Sequence, residues 1–139
     1  MIVVDTNVWS EATKVDPSAA VQAWAKKHSN DLWVSCVVLA ELRAGAAMLP
    51  KGQRRAAFDA QFDALEANFS DRILKFDQQT SSYYAQVLEQ AKLAGKPIGT
   101  ADAMIAATAL QHGMSVATRN LTDFAGAGVQ LIDPWTARK

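Results

Sequence analysis

The stretch Ile2-Val3-Val4-Asp5-Thr6-Asn7 constrains this chain more than any other. Three apolar, β-branched residues suit a short strand buried on both faces. The run stops at a carboxylate, followed by two small polar residues able to cap or turn. A buried parallel strand ending in Asp puts charge at the carboxyl edge of a sheet, where open α/β folds place their ligands. Many α/β proteins begin this way, so the pattern gains weight only if other carboxylates return to the same edge.

The remainder alternates short apolar runs with helical patterns. Further strands are expected at Leu32–Ser35, Ile73–Phe76, Ser115–Thr118 and Val129–Ile132. A short helix is expected over Val8–Lys14, and Asp16-Pro17 opens a second with Pro17 in its first turn, where a missing N–H costs nothing. Ser35 can cap Cys36–Leu49, whose inward positions are Val38, Leu42, Gly45 and Leu49. Ala56–Phe69 carries Phe58, Phe62, Leu65 and Phe69 on one face. Gln79–Ala94 ends at Gly95, and the alanine-rich Gly99–His112 ends at Gly113, with Thr100 as a plausible cap. Leu121–Phe124 is a helical turn. Strands alternating with helices predict a parallel β-sheet of about five strands, flanked by helices on both faces. At 139 residues this is one domain, 1–139, able to bury roughly two-thirds of its unfolded surface.

Lys plus Arg equals Asp plus Glu at 14 each, so any electrostatic footprint must be local. The single Cys36 excludes an internal disulfide framework and suits a reducing compartment. A strand starting at residue 2 leaves no room for a signal peptide, and no apolar run approaches the roughly 18 residues of a membrane span. The cytoplasm is the expected location.

Four acids stand where acids are awkward. Asp5 ends the first strand, Glu41 lies in the middle of the apolar Val38-Leu39-Ala40-Glu41-Leu42, Asp102 falls in the first turn of an alanine-rich helix, and Asp123 follows a strand's carboxyl end. Taken singly, Asp5 and Asp123 can form turns and Asp102 can complement a helix dipole. Glu41 is harder to dismiss, because an unpaired buried carboxylate costs several kcal/mol. If all four converge, a divalent cation would offset their repulsion, and oxygen-only ligands favour Mg²⁺ or Mn²⁺ over Zn²⁺. His28 and His112 occupy surface or capping positions, Cys36 lacks an evident base, and the four tryptophans suit core or interface better than base stacking.

Asp5-Thr6-Asn7, Ala40-Glu41-Leu42, Thr100-Ala101-Asp102-Ala103 and Thr118-Arg119-Asn120 with Asp123-Phe124 resemble, in that order, the four acidic motifs of PIN-domain ribonucleases. The whole chain is similar to VapC-type toxins of the FitB-like branch. The resemblance implies a PIN-like sheet and a metal-dependent endoribonuclease that acts as the toxin of a type II toxin–antitoxin pair. It further implies a homodimer and a cognate VapB-like antitoxin whose tail blocks the site; an exposed aromatic face on Ala56–Phe69 would supply part of the dimer interface. Asp5, Glu41, Asp102 and Asp123 would then be catalytic and hold one or two Mg²⁺ or Mn²⁺ ions. Asn7 and Asn120 would orient those ligands, while Thr6, Thr118 and Arg119 would shape the site or meet a phosphate. Lys51, Arg54 and Arg55 form the best local basic patch for an RNA backbone, and suit a solvated helix start at least as well. Two other readings stay open: an aspartate-dependent phosphatase using Asp5, and a binding module with an inactive site.

Overall fold

Alternation along the first strand decides which side of the sheet each residue serves. In the computed structural model, which describes residues 1–137, Ile2–Val4 (β1) sends Val3 into one apolar core and Ile2 and Val4 into another on the opposite face. The sheet adds Leu32–Ser35 (β2), Ile73–Leu74 (β3), Ser115–Ala117 (β4) and Leu131–Ile132 (β5), in the order β3-β2-β1-β4-β5. Every pairing is parallel, with Val3 opposite Trp33 and Val116. The order reverses between β1 and β4, and the carboxyl ends of those two strands are where such a sheet leaves a crevice. The five parallel strands and flanking helices agree with the expected fold class. Arg138 and Lys139, included in the expected domain 1–139, lie outside the described residues.

Thr6–Glu11 (α1) and Ala19–Lys27 (α2) supply Val8, Val21 and Trp24 to the core of Ile2 and Val4. The other face is covered by Cys36–Ala47 (α3), Gln53–Asn68 (α4), Gln78–Leu93 (α5) and Thr100–Gln111 (α6), with Leu121–Phe124 (α7) at the sheet's end. Helix α6 is apolar nearly all round, as a helix enclosed by its neighbours must be. Ala103, Ala106, Ala107 and Ala109 are fully buried there, and the Thr108 hydroxyl donates to the Met104 carbonyl at 2.8 Å. Among the described residues no helix is long and apolar enough to cross a membrane.

Several local expectations shift for identifiable reasons. Helix α1 starts at Thr6 rather than Val8, because the Asp5 carboxylate accepts from the Thr6 N–H at 2.7 Å and caps the helix. Pro17 lies outside α2: Ser18 takes the cap position, its hydroxyl accepting from the Val21 N–H at 3.3 Å. Ser35 caps α3 as expected, accepting from the Val37 N–H at 3.0 Å. Gly99, not Thr100, occupies the cap position of α6. Gly45 is exposed and Leu49 half-buried, since Val38, Leu39, Leu42 and Ala46 make the inward stripe of α3. Strands β3 and β5 are each two residues long, shorter than their apolar runs. The α4 face bearing Phe58, Phe62, Leu65 and Phe69 packs on the core, with Phe62 buried and the other three half-buried.

Candidate active site

Asp5 directly follows β1 and is buried, 3% exposed. The fully buried Thr118, just past β4, donates its hydroxyl proton to Asp5 Oδ2 at 2.7 Å. That direction is enforced. The Asn120 N–H (3.0 Å) and Asn7 Nδ2 (3.3 Å) both donate to Thr118 Oγ1, which fills its lone pairs and leaves its proton for Asp5. Asn7 Nδ2 also lies 3.4 Å from Asp5 Oδ2, and Asn7 Oδ1 accepts from the Arg119 N–H at 3.2 Å. Asn7 therefore ties the start of α1 to the chain beyond β4, across the crevice where the strand order reverses.

Glu41 arrives from α3, half-buried, its Oε1 accepting from the Thr6 hydroxyl at 2.7 Å. Asp102 arrives from the first turn of α6, also half-buried. Asp5, Glu41 and Asp102 line one cavity of about 380 Å³, together with Thr6, Asn7, Arg119 and Asn120. Asp123, in α7, is exposed and is not among the lining residues, although its charge is felt by both Asp5 and Asp102. The structure thus gathers three of the four expected carboxylates and leaves the fourth outside. Among the described residues, no three His, Cys, Asp or Glu side chains are grouped tightly enough to hold an ion by themselves.

The electrostatic consequence is direct. The Asp102 carboxyl is pushed up to about 6, first by burial and then by the charges of Asp5, Glu41 and Asp123. A helix N-terminus favours a carboxylate's ionised form; here burial and repulsion outweigh it. Asp5 is also raised, chiefly by burial, against the opposing hydrogen bonds from Thr118 and the Thr6 N–H. Both groups bind protons more tightly folded than unfolded, so their contribution favours the fold at low pH and is lost as pH rises through their folded values. Glu11 and Asp77 are lowered by their hydrogen bonds and act oppositely, below the ordinary carboxylate range. In chelator, urea midpoints should therefore fall between about pH 5 and pH 7, and Asp102→Asn should flatten that fall. A wild-type midpoint that rises across this window would contradict the described electrostatics.

Four cavity residues escaped the sequence reading: Ser10, Glu11, Lys14 and Trp135. The first three follow Asn7 at spacings of three, four and seven, a polar stripe that helical periodicity could have flagged. Glu11 is 5% exposed, pairs with Lys14 at 2.9 Å and accepts from the Ser18 N–H at 2.8 Å, fixing the approach to α2. Trp135, assigned by its sequence to core or interface, carries no local signal that places it at the cavity. A second groove of about 330 Å³ shares Thr6, Ser10 and Glu41 with the cavity and continues past Leu42, Gly45, Leu49 and Phe62. Arg54 lines it, 5.6 Å from the Phe58 ring centroid, whereas Arg55 turns to the Leu49 carbonyl (3.5 Å) and Lys51 is exposed. The basic patch is therefore divided. His28 and His112 are C-caps of α2 and α6, and Cys36 opens α3 half-buried.

This geometry, acids at the carboxyl edge of a parallel sheet ordered 3-2-1-4-5, can be set beside known proteins. The family described as PIN domain matches residues 2–127. This chain belongs to the PIN-domain family. The PIN domain is 44% identical over 137 residues to VapC ribonuclease Y4jK of Sinorhizobium fredii, covering 97% of this chain and 98% of that one. It is 39% identical over 137 residues to Toxin FitB of Neisseria gonorrhoeae, covering 97% and 99%. The crystal structure of FitAcB from Neisseria gonorrhoeae superposes with a TM-score of 0.92 at 39% identity, covering 99% of this chain and all of that one. The donor set of this PIN domain, hard carboxylate oxygens with His28, His112 and Cys36 elsewhere, fits a hard divalent cation. Carboxylates spread around a cavity suit Mg²⁺ in particular, which dehydrates reluctantly and is held by one or two carboxylates plus water.

Proposed function

We propose that this PIN domain is a Mg²⁺- or Mn²⁺-dependent endoribonuclease acting as the toxin of a toxin–antitoxin pair. The observation that carries the reading is the convergence of Asp5, Glu41 and Asp102 on one cavity at the β1–β4 edge. The names of the relatives, a VapC ribonuclease and a toxin, support the same activity and role. Nothing in the relatives favours a phosphatase or an inactive module.

Asp5, Glu41 and Asp102 would hold the ion, directly or through water, with Asp123 adding charge from the exposed side. Such an ion activates a water toward a phosphodiester and offsets charge on the leaving oxygen. The protein's own part is positional. Thr118 and Asn7 orient Asp5, and Thr6 orients Glu41. Asn120 acts through its backbone N–H on Thr118, and Arg119 offers a cation to a neighbouring phosphate. Single-stranded or looped RNA suits such a cavity, because its phosphates can enter. A toxin borne by its own cell requires an inhibitor, so a cognate VapB-like antitoxin is part of the proposal, as are the homodimer and the cytoplasmic location.

The test is cleavage of an end-labelled single-stranded RNA by the purified protein. Discrete products with Mg²⁺ or Mn²⁺, and none with chelator, are expected. Induction in cells should arrest growth, and co-expression of an adjacent short open reading frame should relieve the arrest. Intact RNA under every metal condition would overturn the proposal.

A further inference from the structure

Trp135 reaches the cavity from beyond β5 and brings no charge, hydroxyl or metal ligand. Its position is nevertheless well determined. Its backbone N–H donates to Asp133 Oδ1 at 2.9 Å, and its ring packs against the core built by Ile2, Val4 and Ala117. The Thr118 N–H donates to the Ile132 carbonyl at 2.9 Å, which holds the chain just before Trp135 beside the Thr118–Asn120 segment. The Arg119 guanidinium lies over the Trp135 ring, 4.7 Å from its centroid.

The cavity otherwise repels a polyanion. Asp5, Glu41, Asp102 and Glu11 line it, and of its two cations Lys14 is engaged by Glu11 at 2.9 Å. Arg119 is exposed and, among the described residues, makes no salt bridge. Among the described residues the Arg119 guanidinium makes no hydrogen bond, so a contact with the ring leaves its N–H donors available for a bidentate partner. A carboxylate partner would have consumed those donors. Among the described residues, the indole therefore holds the one cavity cation that has no salt bridge, within range of the Glu11 charge.

We propose that Trp135 is a positioning residue, which docks Arg119 at the rim of the acidic cavity so that the guanidinium edge grips a backbone phosphate of single-stranded RNA. The proposal rests on the ribonuclease reading for the identity of its ligand, but not on cleavage. The ring preorganises a long side chain, so less rotamer freedom is lost when the phosphate arrives.

The test is binding of a fluorescein-labelled oligouridine by anisotropy, in chelator at low salt so that nothing is cut. Arg119→Gln should weaken affinity about tenfold and reduce the slope of log affinity against log salt by about 0.7, the value for one phosphate contact on a single strand. Trp135→Leu should weaken affinity about two- to fivefold, and Trp135→Phe, which keeps a ring, should restore most of it. Trp135→Met serves if the leucine variant does not fold. In the Arg119→Gln background, Trp135→Leu should cost no further affinity whatever it does to the melting temperature. Wild-type affinity in Trp135→Leu, or an undiminished loss in the Arg119→Gln background, would overturn the proposal. A protein that binds with this dependence yet leaves RNA intact with Mg²⁺ or Mn²⁺ would uphold the grip and overturn the ribonuclease reading. One that cuts RNA while both variants bind normally would do the reverse.

Discussion

RNA cleavage by Asp5→Asn and by Asp102→Asn should fall well beyond the roughly 10- to 100-fold that loss of an orienting partner costs at a metal site. Each substitution removes a charge from a cavity whose acids act together, and replaces a carboxylate oxygen with an amide nitrogen that cannot ligate a hard cation. At position 5 the amide also faces the Thr118 hydroxyl, whose proton needs an acceptor because the Asn7 and Asn120 donors fill its lone pairs. Thr118→Val supplies the internal scale: it leaves Asp5 charged but misoriented, and should fall within the 10- to 100-fold range. Initial rates on one labelled RNA, with circular dichroism to show that each variant is folded, make the comparison. Full activity in folded Asp5→Asn would sink the assignment of Asp5 to the catalytic metal site.

Thermal denaturation should give an equally large response. A cation that binds only the folded protein stabilises it by RT ln(1 + [L]/Kd), about 2.7 kcal/mol at a hundredfold excess over Kd. For a chain of this size that corresponds to a rise in Tm on the order of 8 °C. Asp102→Asn should separate repulsion from ligation. Asp102 is held up at about 6 by burial and by Asp5, Glu41 and Asp123, so it carries its charge at neutral pH against resistance. Removing that charge should leave the metal-free Tm unchanged or higher, while most of the shift with Mg²⁺ or Mn²⁺ disappears. Melting curves of wild type and variant, in chelator and in millimolar metal, distinguish the two effects. If wild type shows no shift, or Asp102→Asn keeps all of it, the three acids do not form one metal site.

What the sequence determined by itself was local pattern and family. The run Ile2-Val3-Val4 was legible as a strand buried on both faces, and Ser35 as the cap of α3, because each depends on residues within a few positions. The four acidic motifs, in order, pointed to the PIN-domain family that residues 2–127 match. Element ends were less legible where a side chain changed roles. Asp5 became the cap of α1, and Ser18 displaced Pro17 from α2, since a hydroxyl that satisfies a helix's first N–H groups outcompetes a residue that merely tolerates the position.

Only the tertiary structure decided how the acids share their surroundings. Thr6 meets Glu41 across 35 positions of sequence, and Thr118 meets Asp5 across 113, because parallel crossovers return distant segments to one sheet edge. The same crossovers place Asp123 on the exposed side of the cavity, near enough to act on Asp5 and Asp102, and bury Phe62 of α4 in the core. They also bring Trp135 under Arg119, a pairing that no spacing between the two could reveal. Hydrogen bonds and apolar periodicity act over a turn or a strand and can be read along the chain. Desolvation and charge repulsion act through space, and take their values only once the sheet has been assembled.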